Sequence, residues 1–151
     1  MNRLGIIGIL CVWMLSSCSG DRLYEDFIAL DESRGWQQAD SLEFQLGDVD
    51  HEGKATLIAV KFTETYPFSN FYVRVIAKDS SSQIIENKLV NVPLFDSKTG
   101  QPLGKGFGSS YTKYDTLPFG LPAQTKSITL LQYMRQESLP GIEAAGLKIV
   151  P

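Results

Sequence analysis

From Tyr24 onward no stretch of the chain keeps a helical period over three turns, and nothing else limits its fold so strongly. The apolar residues fall instead in short runs bounded by turn clusters. Leu42-Glu43-Phe44-Gln45-Leu46 alternates apolar and polar, the period of a strand with one buried face. Phe71 to Ala77 alternates too, with Phe71, Val73 and Val75 on one side. Thr56 to Phe62 is β-branched and apolar, and Ser127 to Met134 reads as a strong strand. Tyr24 to Leu30, Tyr111 to Leu117 and a short last run at Leu147 to Val150 read the same way, and Ile84 to Leu94 holds one or two strands. Between them lie Ser33-Arg34-Gly35, Gly47 to Gly53, Tyr66 to Asn70, Ser80 to Ser82, Asp96 to Gly108, Pro118 to Pro122 and Leu139 to Ile142, all rich in turn formers. Glu143-Ala144-Ala145 is the only mildly helical patch and is too short to form an element. Some eight short strands with regular turns predict an all-β fold: a single antiparallel β-sandwich, of jelly-roll or immunoglobulin-like type. Such a sandwich has open edges that must be blunted or used by a partner.

The first residues carry a different message. Arg3 precedes an apolar run from Leu4 to Leu15, and Leu15-Ser16-Ser17-Cys18 closes it. A charged start, an apolar stretch and small residues before a cut form a secretory signal. The run is shorter than the roughly 20 apolar residues a spanning helix needs. A cysteine directly after Leu-Ser-Ser makes a lipobox. We therefore expect residues 1–17 to be a lipoprotein signal peptide, Cys18 to be the acylated first residue, 18–23 a tether and 24–151 the sandwich. Acyl chains contribute about 0.8 kcal/mol per buried methylene, and more than one chain is needed for stable anchoring. Ser19, rather than an aspartate, follows the cysteine, and Gly20-Asp21-Arg22 adds a single acid. The expected location is the outer membrane, lipid-anchored, on the periplasmic face.

The remaining 134 residues suffice for one core and no more. Without Arg3 the mature chain has 13 basic against 17 acidic side chains. That balance lacks a basic patch and argues against nucleic acid as a partner. Cys11 leaves with the signal and Cys18 is acylated, so the domain must stand without a disulfide.

Chemical motifs are few. Gly104-Lys105 is followed by Gly106 and preceded by Thr99 where a phosphate loop needs its first glycine, so neither the hydroxyl for magnesium nor the full cradle is present. The segment reads as a β-turn or bulge. Asp48-Val49-Asp50-His51-Glu52-Gly53 resembles part of a calcium loop, but Ala59 stands where the twelfth-position glutamate belongs, and a solvated hairpin loop is the better reading. His51 has no second His or Cys nearby, which argues against zinc. There is no Gly-x-Ser-x-Gly elbow and no nucleophilic cysteine, so no enzyme and no cofactor are expected. Trp36, Tyr66, Phe68, Phe71, Tyr72, Tyr111, Tyr114, Phe119 and Tyr133 divide between core packing and an exposed binding patch, for protein or carbohydrate.

The ordered set of Cys18, Tyr24 and Trp36, the block Tyr66-Pro67-Phe68-Ser69-Asn70-Phe71, the segment Gly104-Lys105-Gly106-Phe107-Gly108, and the stretch Gln132 to Ile142 followed by Gly146-Leu147 resembles the gliding-motility lipoprotein GldH family of the Bacteroidetes. The resemblance covers nearly the whole mature chain. It implies a β-rich, non-enzymatic, membrane-anchored envelope protein that supports surface gliding alongside the type IX secretion machinery. It gives no catalytic residues to carry over. The residues we single out for a binding surface are Tyr66, Phe68, Asn70 and Arg135. Arg135 is expected as a paired charge in preference to an exposed contact. A carbohydrate- or ligand-binding surface lipoprotein is the alternative reading.

Overall fold

The computed structural model describes residues 20–151. The signal run and Cys18, on which the acylation expectation rests, lie outside the described residues. Eleven strands follow one another along these residues: β1 (Tyr24–Ala29), β2 (Trp36–Gln37), β3 (Ser41–Gln45), β4 (Ala55–Thr63), β5 (Asn70–Lys78), β6 (Ile84–Pro93), β7 (Lys105–Phe107), β8 (Ser110–Thr116), β9 (Ser127–Gln132), β10 (Ser138–Leu139) and β11 (Ile142–Val150). All ladders are antiparallel. One sheet runs β1-β11-β4-β8-β7, a second runs β3-β9-β5-β6, and β2 pairs with β10 alone.

The order of the eight longer strands settles the choice between the two sandwich types. The first pairs with the last, β1 with β11, and the second with the second-last, β3 with β9. β4 then pairs with β8, and the middle two, β5 and β6, pair with each other. The chain is thus one long antiparallel ribbon folded alternately into two sheets, which is the jelly-roll winding.

The two inner faces close on one apolar core. Ile58, Val60 and Phe62 of β4 and Ala145, Leu147 and Ile149 of β11 meet Phe71, Val73 and Val75 of β5 and Ile128 and Leu130 of β9. Leu42 and Phe44 alternate with exposed neighbours in β3, as the period-2 pattern requires. Each large side chain buried here contributes on the order of 1.5–3 kcal/mol from water exclusion.

Two local expectations change and a third, over Ile84–Leu94, narrows to one of its two readings. The segment from Ile142, including Glu143-Ala144-Ala145, is strand and not a helical patch. β11 is a long strand between β1 and β4, and its small residues on the outer face leave room for the Phe27 ring over Gly146. Ile84–Pro93 is one strand, an edge of its sheet. The Gly47–Gly53 turn is no hairpin, because β3 and β4 belong to different sheets. Its His51 is buried and donates from Nε2 to the Thr125 carbonyl at 2.9 Å.

The register defines two ends. Leu23 donates its N–H to the Ile149 carbonyl where β1 starts, so the tether leaves beside Ala55 and Val150. The connections β3–β4, β5–β6 and β8–β9 lie at this end, tied by Leu46 N–H to Lys126 and Lys126 N–H to Lys78. The connections β1–β3, β4–β5, β7–β8 and β9–β11 lie at the other. The length of β4 separates the ends by about 26 Å at the usual strand rise.

Candidate functional site

The far end is capped by two long connections that lock onto each other. In the first, Trp36 is fully buried, stacks on Phe71 with centroids 5.3 Å apart, and donates its indole N–H to the Asp40 carbonyl at 3.1 Å. In the second, Leu139 pairs with Trp36 and Ser138 with Gln37. The Asp31 carboxylate accepts from the Ser33 hydroxyl at 2.6 Å and the Ser33 N–H at 2.9 Å, which holds its carboxyl below the usual range.

The β4–β5 connection carries the proline turn. Tyr66 is not a surface residue. It is 4% exposed, packs edge-on against Phe68 with centroids 5.8 Å apart, and donates its hydroxyl to the Asn70 carbonyl at 2.8 Å. Burial pushes its hydroxyl pKa well up, so it stays a neutral donor. Phe68 and Asn70 are half-buried, and the Asn70 amide donates to Asn91 at 2.8 Å across the sheet. These three residues therefore set the shape of the end, and the Tyr66 ring is not offered to a partner.

Arg135 is different. It is exposed, and no ion pair to it is found among the described residues, so the exposed-contact reading replaces the paired one. It sits at φ 56°, in the left-handed region, which strains a side-chain-bearing residue by roughly 1–2 kcal/mol. Buried Gln132 holds that turn from both sides: it donates to the Gln136 carbonyl at 2.7 Å and accepts from the Met134 N–H at 2.9 Å. The turn thus holds Arg135 exposed on a backbone fixed by a buried amide.

The residue the sequence reading passed over is Phe107. β7 and β8 join through Gly108-Ser109, and Gly108 lies at φ 68°, the positive angle that a tight hairpin's first central position demands. Gly106 cannot carry a side chain, because a Cβ there meets the Tyr111 ring at 2.2 Å. Phe107, between them, is 96% exposed. The available signal was the string Gly106-Phe107-Gly108 itself: an aromatic between two glycines in a turn has no neighbours to bury it.

Beside the tip lies a cleft of about 330 Å³ lined by Glu32, Glu64 and Glu143 with Ser109 and Gly141. Glu143 accepts from the Ser110 hydroxyl at 2.9 Å, and Glu64 from the Tyr111 hydroxyl at 2.9 Å. The Glu64 hydrogen bond raises the Tyr111 pKa, with burial adding to it. These carboxylates brace the hairpin. Among the described residues no group of three or more His, Cys, Asp or Glu is placed to hold a metal ion. The far end thus presents an apolar tip, an acidic cleft and two exposed arginines, Arg34 paired with Asp40 and Arg135 without an ion pair among the described residues.

The family model described as GldH lipoprotein matches residues 22–149. No curated protein matches the sequence significantly. Among solved structures, the K1 cleaved adhesin domain of Lys-gingipain from Porphyromonas gingivalis W83 is similar over 83% of this chain and 89% of that one, at 16% identity and a TM-score of 0.31. The K3 cleaved adhesin domain of the same protein is similar over 73% of this chain and 62% of its own, at 15% identity and a TM-score of 0.28. This chain therefore spans less than two thirds of the K3 domain's length. The tobacco streak virus coat protein is similar over 84% and 86%, at 8% identity and a TM-score of 0.25.

Proposed function

We propose that this chain, which belongs to the GldH lipoprotein family, is a non-catalytic, lipid-anchored envelope protein that supports gliding motility by holding its far end out to a protein partner. The family links it to membrane lipoproteins and to gliding. The finer reading rests on Phe107, an exposed aromatic about 26 Å along the sheet from where the tether leaves. Large aromatics in this position dominate protein contacts, because they bury much area at small entropic cost. Acylation of Cys18 in the outer membrane, with the domain in the periplasm, puts the tether end toward the lipid and Phe107 away from it. Anchoring also confines the domain to a thin layer, where modest affinity suffices. The partner is an envelope protein of the motility or type IX secretion machinery, with an apolar pocket for Phe107 and basic groups for Glu32 and Glu64. The Tyr66 block, the Gly104–Gly108 segment and the Gln132–Ile142 stretch, far apart in sequence, all reach this end, which further supports the reading.

The test is a clean deletion in the native host, complemented with wild type, Cys18→Ala or Phe107→Asp, scoring colony spreading and secreted proteins together. Wild type restores spreading. Cys18→Ala protein leaves the membrane fraction, and Phe107→Asp stays in it, yet neither restores spreading. Full spreading with Phe107→Asp at normal membrane level would reject the far-end contact, and full spreading with Cys18→Ala would reject the anchor.

A further inference from the structure

We propose that the outer face of the five-stranded sheet is a second binding site, for an anionic saccharide, distinct from the protein-contact end. The face is built in rows by the register. One row reads Phe27, Gly146, Ala59, Tyr114 across β1, β11, β4 and β8. The two aromatics start at its ends and turn inward over buried Gly146 and Ala59, so their rings meet edge to face with centroids 6.4 Å apart and form the floor themselves. They are 37% and 39% exposed. Lys148 lies in the next row toward the tether, and Lys61 and Lys105 in the next row toward the far end. Leu103 and Gly104 close the side at β7, leaving a groove of about 820 Å³, the size of ordinary small-ligand sites.

Charge decides the first half of the ligand's chemistry. The whole chain is net −3, yet four lysines line this groove; Lys113 is spent on the Pro93 carbonyl and Asp115, and Lys61, Lys105 and Lys148 carry the outer face. Lys105 has no ion pair among the described residues. Lys61 Nζ is 3.8 Å from Glu143, and Lys148 Nζ is 3.7 Å from Glu25. Contacts this long are weak, and Lys61, half exposed, is easier for an arriving carboxylate or phosphate to compete for than Lys148, which is more covered beside Glu25. Lys148 also lies 5.1 Å over the Tyr114 ring, and the Tyr114 hydroxyl donates to Glu25 at 3.3 Å, so the aromatic is held in place before any ligand arrives.

The floor decides the second half. Backbone N–H and C=O groups of β11 and β4 are spent in their ladders on both sides. An extended acidic peptide lying there finds no backbone partners, which is what strand addition depends on. A sugar needs none: its ring C–H face packs on exposed aromatic surface, its hydroxyls stay solvated, and its anionic group takes the lysines.

The experiment is calorimetric titration of the full-length chain in an uncharged detergent without a sugar headgroup. The probes are trigalacturonate, maltotriose, triglutamate and inorganic phosphate. Trigalacturonate is expected to bind, and the other three at least tenfold more weakly. Lys61→Gln with Lys105→Gln, two exposed changes that leave thermal unfolding in place, should weaken trigalacturonate tenfold or more. Tyr114→Ala should do likewise, and Phe107→Ala should change nothing. Absent binding, binding indifferent to the lysine pair, or triglutamate or phosphate binding as tightly as trigalacturonate would each overturn the proposal.

Discussion

The two ends of the sandwich solve the same problem, turning the ribbon back on itself, with opposite materials. At the tether end the turn before β4 has Gly53 at φ 67°, with open space where a Cβ would go. At the far end Gly141 lies at φ 83°, and a Cβ there meets the backbone Cα and N of Tyr66 at 2.6 Å. Gly53 answers only to its own backbone; Gly141 is wedged into the next connection. The far-end loops are therefore a single packed unit of Trp36, Tyr66, Leu139 and Gly141, and the groups it displays, Phe107 and Arg135, stand on fixed supports. The tether-end connections are tied too, by His51 to Thr125 and by Lys126 to Lys78, but the glycine turn there is not wedged into a neighbouring loop. Preorganised surface lowers the entropic cost of binding, which suits the far end to the proposed contact.

That contrast can be broken by paired substitutions. Gly141→Ala must both strain φ and move Tyr66, and should destabilise by about 3 kcal/mol or more in denaturant unfolding. Gly53→Ala faces only the left-handed penalty of about 1 kcal/mol. Equal losses would mean that the far end is no more interlocked than the near one. Tyr66→Phe leaves the Asn70 carbonyl without its donor and should lose about 1 kcal/mol by the same measurement. Phe107→Ala removes an aromatic that touches almost nothing, so stability should stay within about 0.5 kcal/mol of wild type. A larger loss would show that the ring packs and is not reserved for a partner.

The smallest effect is local and depends on pH. The folded Asp31 carboxyl is held below its unfolded range by Ser33. Its contribution to the turn is therefore complete above an unfolded value of about 3.9 and is lost as pH falls through the lower folded value. Amide shifts of Ser33 and Gly35 followed by NMR should titrate below pH 4. A midpoint at the ordinary aspartate value would show that the turn is not bound by that carboxylate.

Most of the layering was legible from the residues. Leu42, Phe44, Phe71, Val73 and Val75 announced their faces by alternation, because a half-buried strand has no other economical pattern. The first half of β11, before the Leu147–Val150 run, was hidden for a physical reason. Its Ala144-Ala145-Gly146 is small where Phe27 lies on top, and small residues read locally as helix or turn. The jelly-roll winding was also invisible, since it rests on pairing Tyr24 with Ile149 and Ser41 with Leu131, across separations that no local pattern records. At the far end, a Tyr-Pro-Phe turn looks like surface, and only the Gly141 contact and the bond to Asn70 put Tyr66 inside. Phe107 was overlooked because aromatics are expected in cores, and its two glycine neighbours carried the correction.

The central claim is that the end opposite the tether is the end that meets a partner. Photo-crosslinking residues placed at position 107 and, in a second strain, at position 52 in the tether-end turn test it directly in intact cells. The account predicts a discrete envelope-protein adduct from position 107, lost when the crosslinker is paired with Arg135→Glu or Glu64→Lys, and none from position 52. An adduct at 52 with none at 107 would contradict it.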